Sequence, residues 1–218
     1  MKNLFNLDNP FIQFLSRVGD LIILNFLFLV CSIPVFTIGA SATALQKTTQ
    51  AILYDVDNGT VKTFFRAFRE NFRQATVVWV LMLIFAVSAG FNYLIVSGLT
   101  AGTLALVLKW VMAVLCAVVV ILGVYIFPLI ARYRNTLREH ATNSLILAVV
   151  KLPRTIGLVG LALMPVIIAV ISIQTFLTTL VFWLAVGFGF TSYMSSMLLK
   201  PVFAELEDKT GAGVQIMK

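Results

Sequence analysis

The chain has 218 residues, of which 60% are hydrophobic and only 11% are charged, and its mean hydropathy is +1.00. Soluble domains carry ~25% charged residues, and a soluble core of this length cannot enclose so much apolar surface. The composition therefore excludes a soluble globular domain and predicts an integral membrane protein.

Lysine and arginine exceed the acidic residues and give the chain a formal net charge of +7. In a soluble protein such a balance suggests nucleic-acid binding, but here the basic residues cluster between apolar runs. Membrane topology and anionic lipid explain clusters of this kind. We therefore expect the partner of these residues to be a lipid bilayer with anionic lipid at its cytoplasmic face, and no nucleic acid.

Uncharged stretches locate the membrane spans, because a charge near the bilayer centre is unfavourable. A span needs roughly 20 residues to cross ~30 Å of hydrocarbon. By this measure, one integral membrane domain over residues 1–218 contains about five spans. The predicted fold is all-α, a polytopic membrane helix bundle with spans over about 20–38, 75–97, 109–131, 155–172 and 177–199.

The first span has unusual neighbours on both sides. Residues 1–19 resemble a short amphipathic lead, and Arg17 is the expected local partner of Asp20. The first span meets Pro34, and the residues that follow over 37–44 are too small and polar for lipid exposure. This predicts that 34–44 forms a re-entrant or terminal helix end buried against other helices. A signal-peptide cleavage site would fit 40–42, but cleavage there would invert every later loop against its charge. We expect an uncleaved chain.

Two segments between the spans are predicted to be interfacial cytoplasmic helices. Over 61–74 phenylalanine lines one face and arginine the other, which is typical of an amphipathic helix at a membrane surface. The second segment, 143–150, is short and apolar. The candidate lipid or partner contacts are Phe64, Phe68, Phe72, Arg66, Arg69 and Arg73, with Phe65 as a fourth phenylalanine of the first helix.

The basic residues also orient the spans. The loops after odd-numbered spans carry most of the lysines and arginines, whereas Lys2, Arg17 and Lys109 fall on the other side. By the positive-inside rule the basic side is cytoplasmic. This predicts an N-terminus outside and a C-terminus in the cytoplasm, with the segment 43–74 cytoplasmic.

Four stretches carry a family resemblance, namely GDLIILNFLF over 19–28, IPVFTIGASATA over 33–44, FFRAFRENFRQA over 64–75 and the Leu152-Pro153 step. In these stretches the chain resembles the YesL-like family of small bacterial integral membrane proteins, a domain of unknown function. Where the family has a Pro-Ala-Thr-Ala-like stretch, this chain has ASATA over 40–44.

The resemblance implies a multi-pass protein of the bacterial cell membrane. It also implies a sugar-uptake context, because family members tend to be encoded beside carbohydrate ABC importers and polysaccharide-degrading enzymes. It attaches no catalytic motif.

The chemically reactive side chains form no catalytic or metal-binding pattern. His140 is the one histidine, and a lone histidine beside Glu139 in a basic loop is most often solvated, although a pH-sensitive role stays open. Cys31 and Cys116 lie in apolar runs without the spacing of a redox or metal site. The acidic residues fall outside the span centres, which argues against a proton-coupled transporter. We expect no enzyme activity, no catalytic residue, no metal and no cofactor.

Uncharged polar residues inside the spans form the remaining candidate site. Helix packing through small residues and interhelical hydrogen bonds explains such residues without a ligand. The alternative is a polar path or ligand surface in the membrane. Its residues would be Asn25, Asn92, Ser192, Ser195 and Ser196.

Two functions fit these observations. The first is a non-enzymatic accessory or regulatory component of a carbohydrate ABC uptake system, with importer subunits or a membrane sensor kinase as partners. The alternative is a small transporter or channel, which would act as a homo-oligomer because about five spans enclose little space.

Overall fold

The structure is a computed structural model that describes residues 10–56, 59–99 and 102–210. In these ranges the chain forms helices joined by short turns and contains no β-strand, so the predicted all-α bundle is confirmed. The helices are α1 Pro10–Cys31, α2 Ile38–Leu53, α3 Thr60–Leu99, α4 Thr103–Arg132, α5 Leu137–Val150, α6 Leu152–Ile171, α7 Ile173–Phe182 and α8 Phe188–Thr210.

Five helical segments among the described residues are long and apolar enough to cross a bilayer, in agreement with the predicted number. The fifth combines α7 and α8, which a π-helical stretch over Trp183–Gly187 joins into one rod. The chain is therefore a multi-pass membrane protein. These segments are Phe11–Cys31, Thr60–Val96, Thr103–Arg132, Leu152–Ile171 and Ile173–Asp208.

Helix α2 lies at the centre of the bundle and packs against α1, α3, α4 and α8. Its small side chains make this possible: a Cβ atom added to Gly39 would lie 2.5 Å from the Ala75 carbonyl oxygen and 2.5 Å from Trp79 Cβ. Because no larger residue fits there, Gly39 sets the distance between α2 and α3. The prediction that the small and polar residues of 37–44 lie buried against other helices agrees with the burial of Thr37 and of α2 from Gly39 onward, whereas Val35 and Phe36 are exposed.

Helices α1 and α2 form an antiparallel hairpin. At the turn between them, Trp79 Nε1 donates to the Val35 carbonyl oxygen over 2.7 Å. At the open end, the Arg17 guanidinium lies 3.0 Å from Asp55 Oδ1, and Thr60 Oγ1 donates to Asp20 Oδ1 over 2.7 Å. The start of α1 therefore lies beside the end of α2 and the start of α3.

This hairpin corrects two predictions. Arg17 pairs with Asp55 and not with its sequence neighbour Asp20. The predicted scheme placed Arg17 outside and the segment 43–74 in the cytoplasm, but two side chains 3.0 Å apart lie on the same side of the molecule. The scheme failed because it counted one crossing before 43–74 and did not include the return of the chain through α2. Lys2, which it also placed outside, lies beyond the described residues.

Two predicted boundaries also differ from the structure. The first span, predicted over 20–38, ends at Cys31, and Pro34 stands in the turn that follows. The separate amphipathic helix over 61–74 and the span over 75–97 are one continuous helix, α3. Between Val61 and Tyr93 no proline interrupts it, so the charged first half extends the apolar second half without a break.

Candidate functional site: the polar seam and the basic stripe

A hydrogen-bonded polar seam joins α2 to α8. Thr49 Oγ1 lies 2.9 Å from Ser192 Oγ and 3.1 Å from Ser196 Oγ. Gln46 Nε2 donates to Ser195 Oγ over 3.3 Å, and Ser196 Oγ donates to Gln46 Oε1 over 3.2 Å. The three serines are buried, so these bonds replace the water that the hydroxyl groups would otherwise bind.

Asn25 of α1 extends the polar seam toward the π-helical stretch. Its Nδ2 donates to the carbonyl oxygens of Trp183 and Leu184 over 3.1 and 2.7 Å. Its Oδ1 accepts from the backbone N–H groups of Phe188 and Gly189 over 2.9 and 3.0 Å. A π-helical stretch interrupts the regular hydrogen bonding of a helix, and in lipid every backbone polar group needs a partner. The Asn25 amide supplies it at both ends of this stretch.

The structure brings together four of the five residues predicted to form a polar intramembrane surface. Asn25 on α1 contacts the start of α8, which carries Ser192, Ser195 and Ser196. The Asn92 side chain, by contrast, is exposed and donates to the Ser88 carbonyl oxygen of its own helix over 2.9 Å. The sequence reasoning missed Gln46 and Thr49, because Lys47 between them placed the segment in the cytoplasm. Their spacing of three residues on one helical face was the available signal.

The bonds of the polar seam fit the packing interpretation of these residues. Asn25 is fully buried and Ser196 is 1% exposed, and each is bonded to another helix. Interhelical hydrogen bonds between small polar side chains are a common means of helix association in membranes. The polar path or ligand surface that the sequence left open stays a prediction.

Residues 21–93 match the model of a family described as "Protein of unknown function, DUF624". Over this part of the chain, which is about a third of its length, the sequence is similar to DUF624 proteins. The predicted resemblance is confirmed, because the YesL-like family is the membrane family of this domain. No curated protein and no solved structure matches the chain. The matched residues contain α2, most of α3 and Asn25, whereas the serines of the polar seam lie outside the match.

The matched region contains the predicted amphipathic pattern on the first half of α3. Phe64 is fully buried in a cluster with Leu24, Leu45 and Ile52, and Phe68 packs on the edge of that cluster. Phe65 is 49% exposed, so the four phenylalanines do not share one environment. The phenylalanine face is thus mainly the surface through which α3 packs against the α1–α2 hairpin.

Three exposed arginines form a basic stripe, Arg66, Arg69 and Arg73, on the opposite face of α3. The nearest acidic residue in the sequence, Glu70, accepts a contact of 3.4 Å from Lys47 of α2. Among the described residues the three arginines form no salt bridge. The basic stripe therefore presents its positive charge outward on a rigid helix.

A buried ion pair between Arg132 and Glu207 links the ends of α4 and α8. Arg132 Nε donates to Glu207 Oε1 over 2.7 Å, and the guanidinium carbon lies 4.8 Å from the ring centre of Tyr54 and 4.9 Å from that of Phe203. Two aromatic faces around a desolvated guanidinium strengthen such a pair. Lys151 and Glu205 form a second ion pair. The first pair and its aromatic contacts connect the ends of α4 and α8 to the end of α2, and the second connects the junction of α5 and α6 to α8.

His140 lies on the inner face of α5 and is fully buried. Neither ring nitrogen has a hydrogen-bond partner among the described residues. Burial lowers the pKa of His140 below its usual 6.5, and the neighbouring Glu139 opposes the shift. The prediction that this histidine is solvated is therefore wrong. Its face of α5 packs on the bundle, because the neighbouring Leu137 and Ala141 contact the apolar cluster of Val78, Ile126 and Ile130.

An open cleft of about 490 Å³ lies between the start of α1 and the end of α2. Its lining includes Gln13, Ser16, Arg17, Asp20 and Asp55, of which Arg17 and Asp55 are paired with each other. No three His, Cys, Asp or Glu side chains in the described ranges lie close enough together to hold a metal ion.

The Asn25 contacts predict a large effect of Asn25→Leu on stability. The substitution removes the side-chain partner of two carbonyl oxygens in the π-helical stretch and of two N–H groups at the start of α8. Such groups cost about 1–3 kcal/mol each in water-soluble proteins, but interhelical hydrogen bonds in bilayers average ~0.6 kcal/mol. We expect a loss of about 2 kcal/mol in the free energy of unfolding, measured by steric trapping in bicelles. Asn92→Leu is the matched control and should change stability little.

The buried His140 predicts that α5 docks less firmly in acid. Its pKa is lower in the docked state, so the undocked state binds more protons below pH 6.5. Docking is fully stable above 6.5 and weakens as the pH falls below it. Amide-exchange protection factors of α5 should be lower at pH 5.5 than at pH 7.5, whereas His140→Leu should remove the difference. A protection factor in the native protein that does not change with pH would contradict this assignment.

Proposed function

We propose that this DUF624 protein is a non-enzymatic accessory or regulatory component of a carbohydrate ABC uptake system, acting through a partner on its cytoplasmic face. The observation that carries the proposal is the contrast between its two polar regions. The polar seam is buried and bonded internally, whereas the basic stripe is exposed and forms no ion pair in the described part of the chain. The first arrangement favours stability, and the second favours binding.

The partner class follows from charge and from the family resemblance. A stripe of three arginines fits an acidic surface, because arginine binds carboxylates and phosphates in pairs of hydrogen bonds. The sugar-uptake context that the resemblance implies makes an importer subunit or a membrane sensor kinase the partner to test first. A small transporter acting as a homo-oligomer is the competing function.

The proposal includes a cytoplasmic N-terminus, which differs from the orientation expected from the sequence. Because Arg17 lies beside Asp55 and the start of α3, the α1–α2 hairpin begins and ends on one side. The basic stripe lies on α3 soon after that end, and the positive-inside rule assigns such a cluster to the cytoplasm. Among the described helices this leaves only Lys109 of α4 on the opposite side.

Cysteine labelling tests the orientation. Gln13→Cys, Arg138→Cys and Thr103→Cys are made singly in a background with Cys31→Ala and Cys116→Ala, and a membrane-impermeant maleimide is added to intact cells. We expect labelling only at position 103, and labelling at positions 13 and 138 in inside-out vesicles. Labelling at position 13 but not 138 in intact cells would restore the external N-terminus.

Charge reversal tests the function. The variant with Arg66→Glu, Arg69→Glu and Arg73→Glu should lose its partner, because each basic residue near an anionic surface contributes about 1 kcal/mol. Three such losses correspond to a decrease in affinity of roughly 100-fold. The measurement is co-purification of importer subunits or a kinase in mild detergent. The control is Arg134→Glu with Arg138→Glu, which reverses two charges outside the basic stripe.

Two outcomes count against this function. One is recovery of the native protein without a partner at every expression level. The other is gradient-driven flux of oligosaccharides or ions in reconstituted vesicles above that of empty vesicles, which would favour the transporter.

A further inference from the structure

Helix α5 has two halves of different chemistry. Its first half, after a capping box in which the Thr136 side chain and Glu139 exchange hydrogen bonds, is polar. Its second half is apolar, and the side chains on its outer surface are 45–69% exposed. These are Leu145, Ile146, Val149 and Val150.

The second half of α5 lies deeper in the bundle than the ion pair at the end of α4. The Ala148 carbonyl oxygen accepts from Thr155 Oγ1 over 2.9 Å, and Thr155 Oγ1 lies 2.9 Å from the Tyr125 hydroxyl. Tyr125 precedes Arg132 by seven residues on α4, which corresponds to about 10 Å along a helix. The end of α5 is thus displaced from Arg132 toward the bilayer centre.

The exposed apolar surface of α5 continues without interruption onto a membrane span. Leu152 is 57% exposed and Ile156 is 73% exposed at the start of α6, and α6 is one of the candidate spans. A span of this kind faces lipid, so the neighbouring surface of α5 is in position to face lipid too. This continuity selects acyl chains as the occupant, over water or a second protein.

Positive charge marks the other end of α5. Arg134 and Arg138 are exposed and form no salt bridge among the described residues. The nearby Glu139 carboxylate accepts from the Thr136 backbone N–H over 2.8 Å, which lowers its pKa and fixes it at the helix start. The two guanidinium groups are left to bind anions at the level where the chain leaves the bundle.

We propose that α5 is an in-leaflet anchor. Its second half inserts among the acyl chains of the leaflet on the basic side, and Arg134 and Arg138 bind the phosphates of anionic phospholipids. The anchor is independent of the basic stripe and of any protein partner, since its apolar surface lies on different residues.

Spin-label accessibility tests the anchor in the full chain. Val149→Cys and Thr142→Cys are prepared separately in a background with Cys31→Ala and Cys116→Ala. Each is reconstituted in vesicles of phosphatidylcholine, with or without phosphatidylglycerol. Oxygen partitions into acyl chains and a nickel chelate stays in water. We expect position 149 to favour oxygen and position 142 to favour nickel.

A second variant tests the contact between the two arginines and the lipid headgroups. Phosphatidylglycerol should raise the oxygen accessibility of position 149, and Arg134→Gln with Arg138→Gln should abolish that increase. Nickel accessibility at 149 equal to that at 142 would overturn the insertion. Exclusion of both reagents at 149 would also overturn it and indicate coverage by a second copy of the chain. An increase that survives the double substitution would overturn the headgroup contact.

Discussion

The bundle depends on one constraint, which is that α2 cannot face lipid. Its 16 residues include one serine, three threonines, Gln46, Lys47 and Gln50, and such side chains are unfavourable in hydrocarbon. Enclosure by four other helices is the solution that this structure adopts. Gly39 permits the close approach to α3, and the serines of α8 provide hydrogen-bond partners on the other side. The hairpin with α1 and the position of α8 both follow from that enclosure.

Polar chemistry is divided between the interior and one surface of the molecule. Interior groups such as Asn25 and Thr49 are bonded to neighbouring helices, so they fix the distances between helices. The buried Arg132–Glu207 pair does the same at the edge of the bilayer, where loss of one partner would leave an uncompensated charge. The exposed arginines of α3 form no salt bridge among the described residues, so they do not fix distances between helices in this way. A rigid body with one charged face is well suited to present that face to another molecule.

The sequence predicts the number of spans well, because charges are excluded from the bilayer centre whatever the tertiary structure. It predicts the partners of individual side chains poorly. Asn25 and the backbone groups it binds are more than 150 residues apart, and Arg17 bonds to a residue 38 positions away instead of its helical neighbour. Because of the charge on Lys47, the sequence predicted that the segment containing α2 is cytoplasmic, although the small residues of α2 indicated burial. The π-helical stretch to which Asn25 bonds cannot be recognised from the composition of the residues around it.

The polar seam has a consequence for biogenesis. Gln46 and its partner Ser196 are separated by 150 residues, so α2 leaves the ribosome long before α8 exists. At ~5–20 residues per second, the wait lasts on the order of ten seconds. During that interval the Gln46 amide lacks its partners on α8, whereas the threonines of α2 can already donate to carbonyl oxygens of their own helix. The hydrogen bonds of the polar seam can therefore form only after α8 has been synthesised.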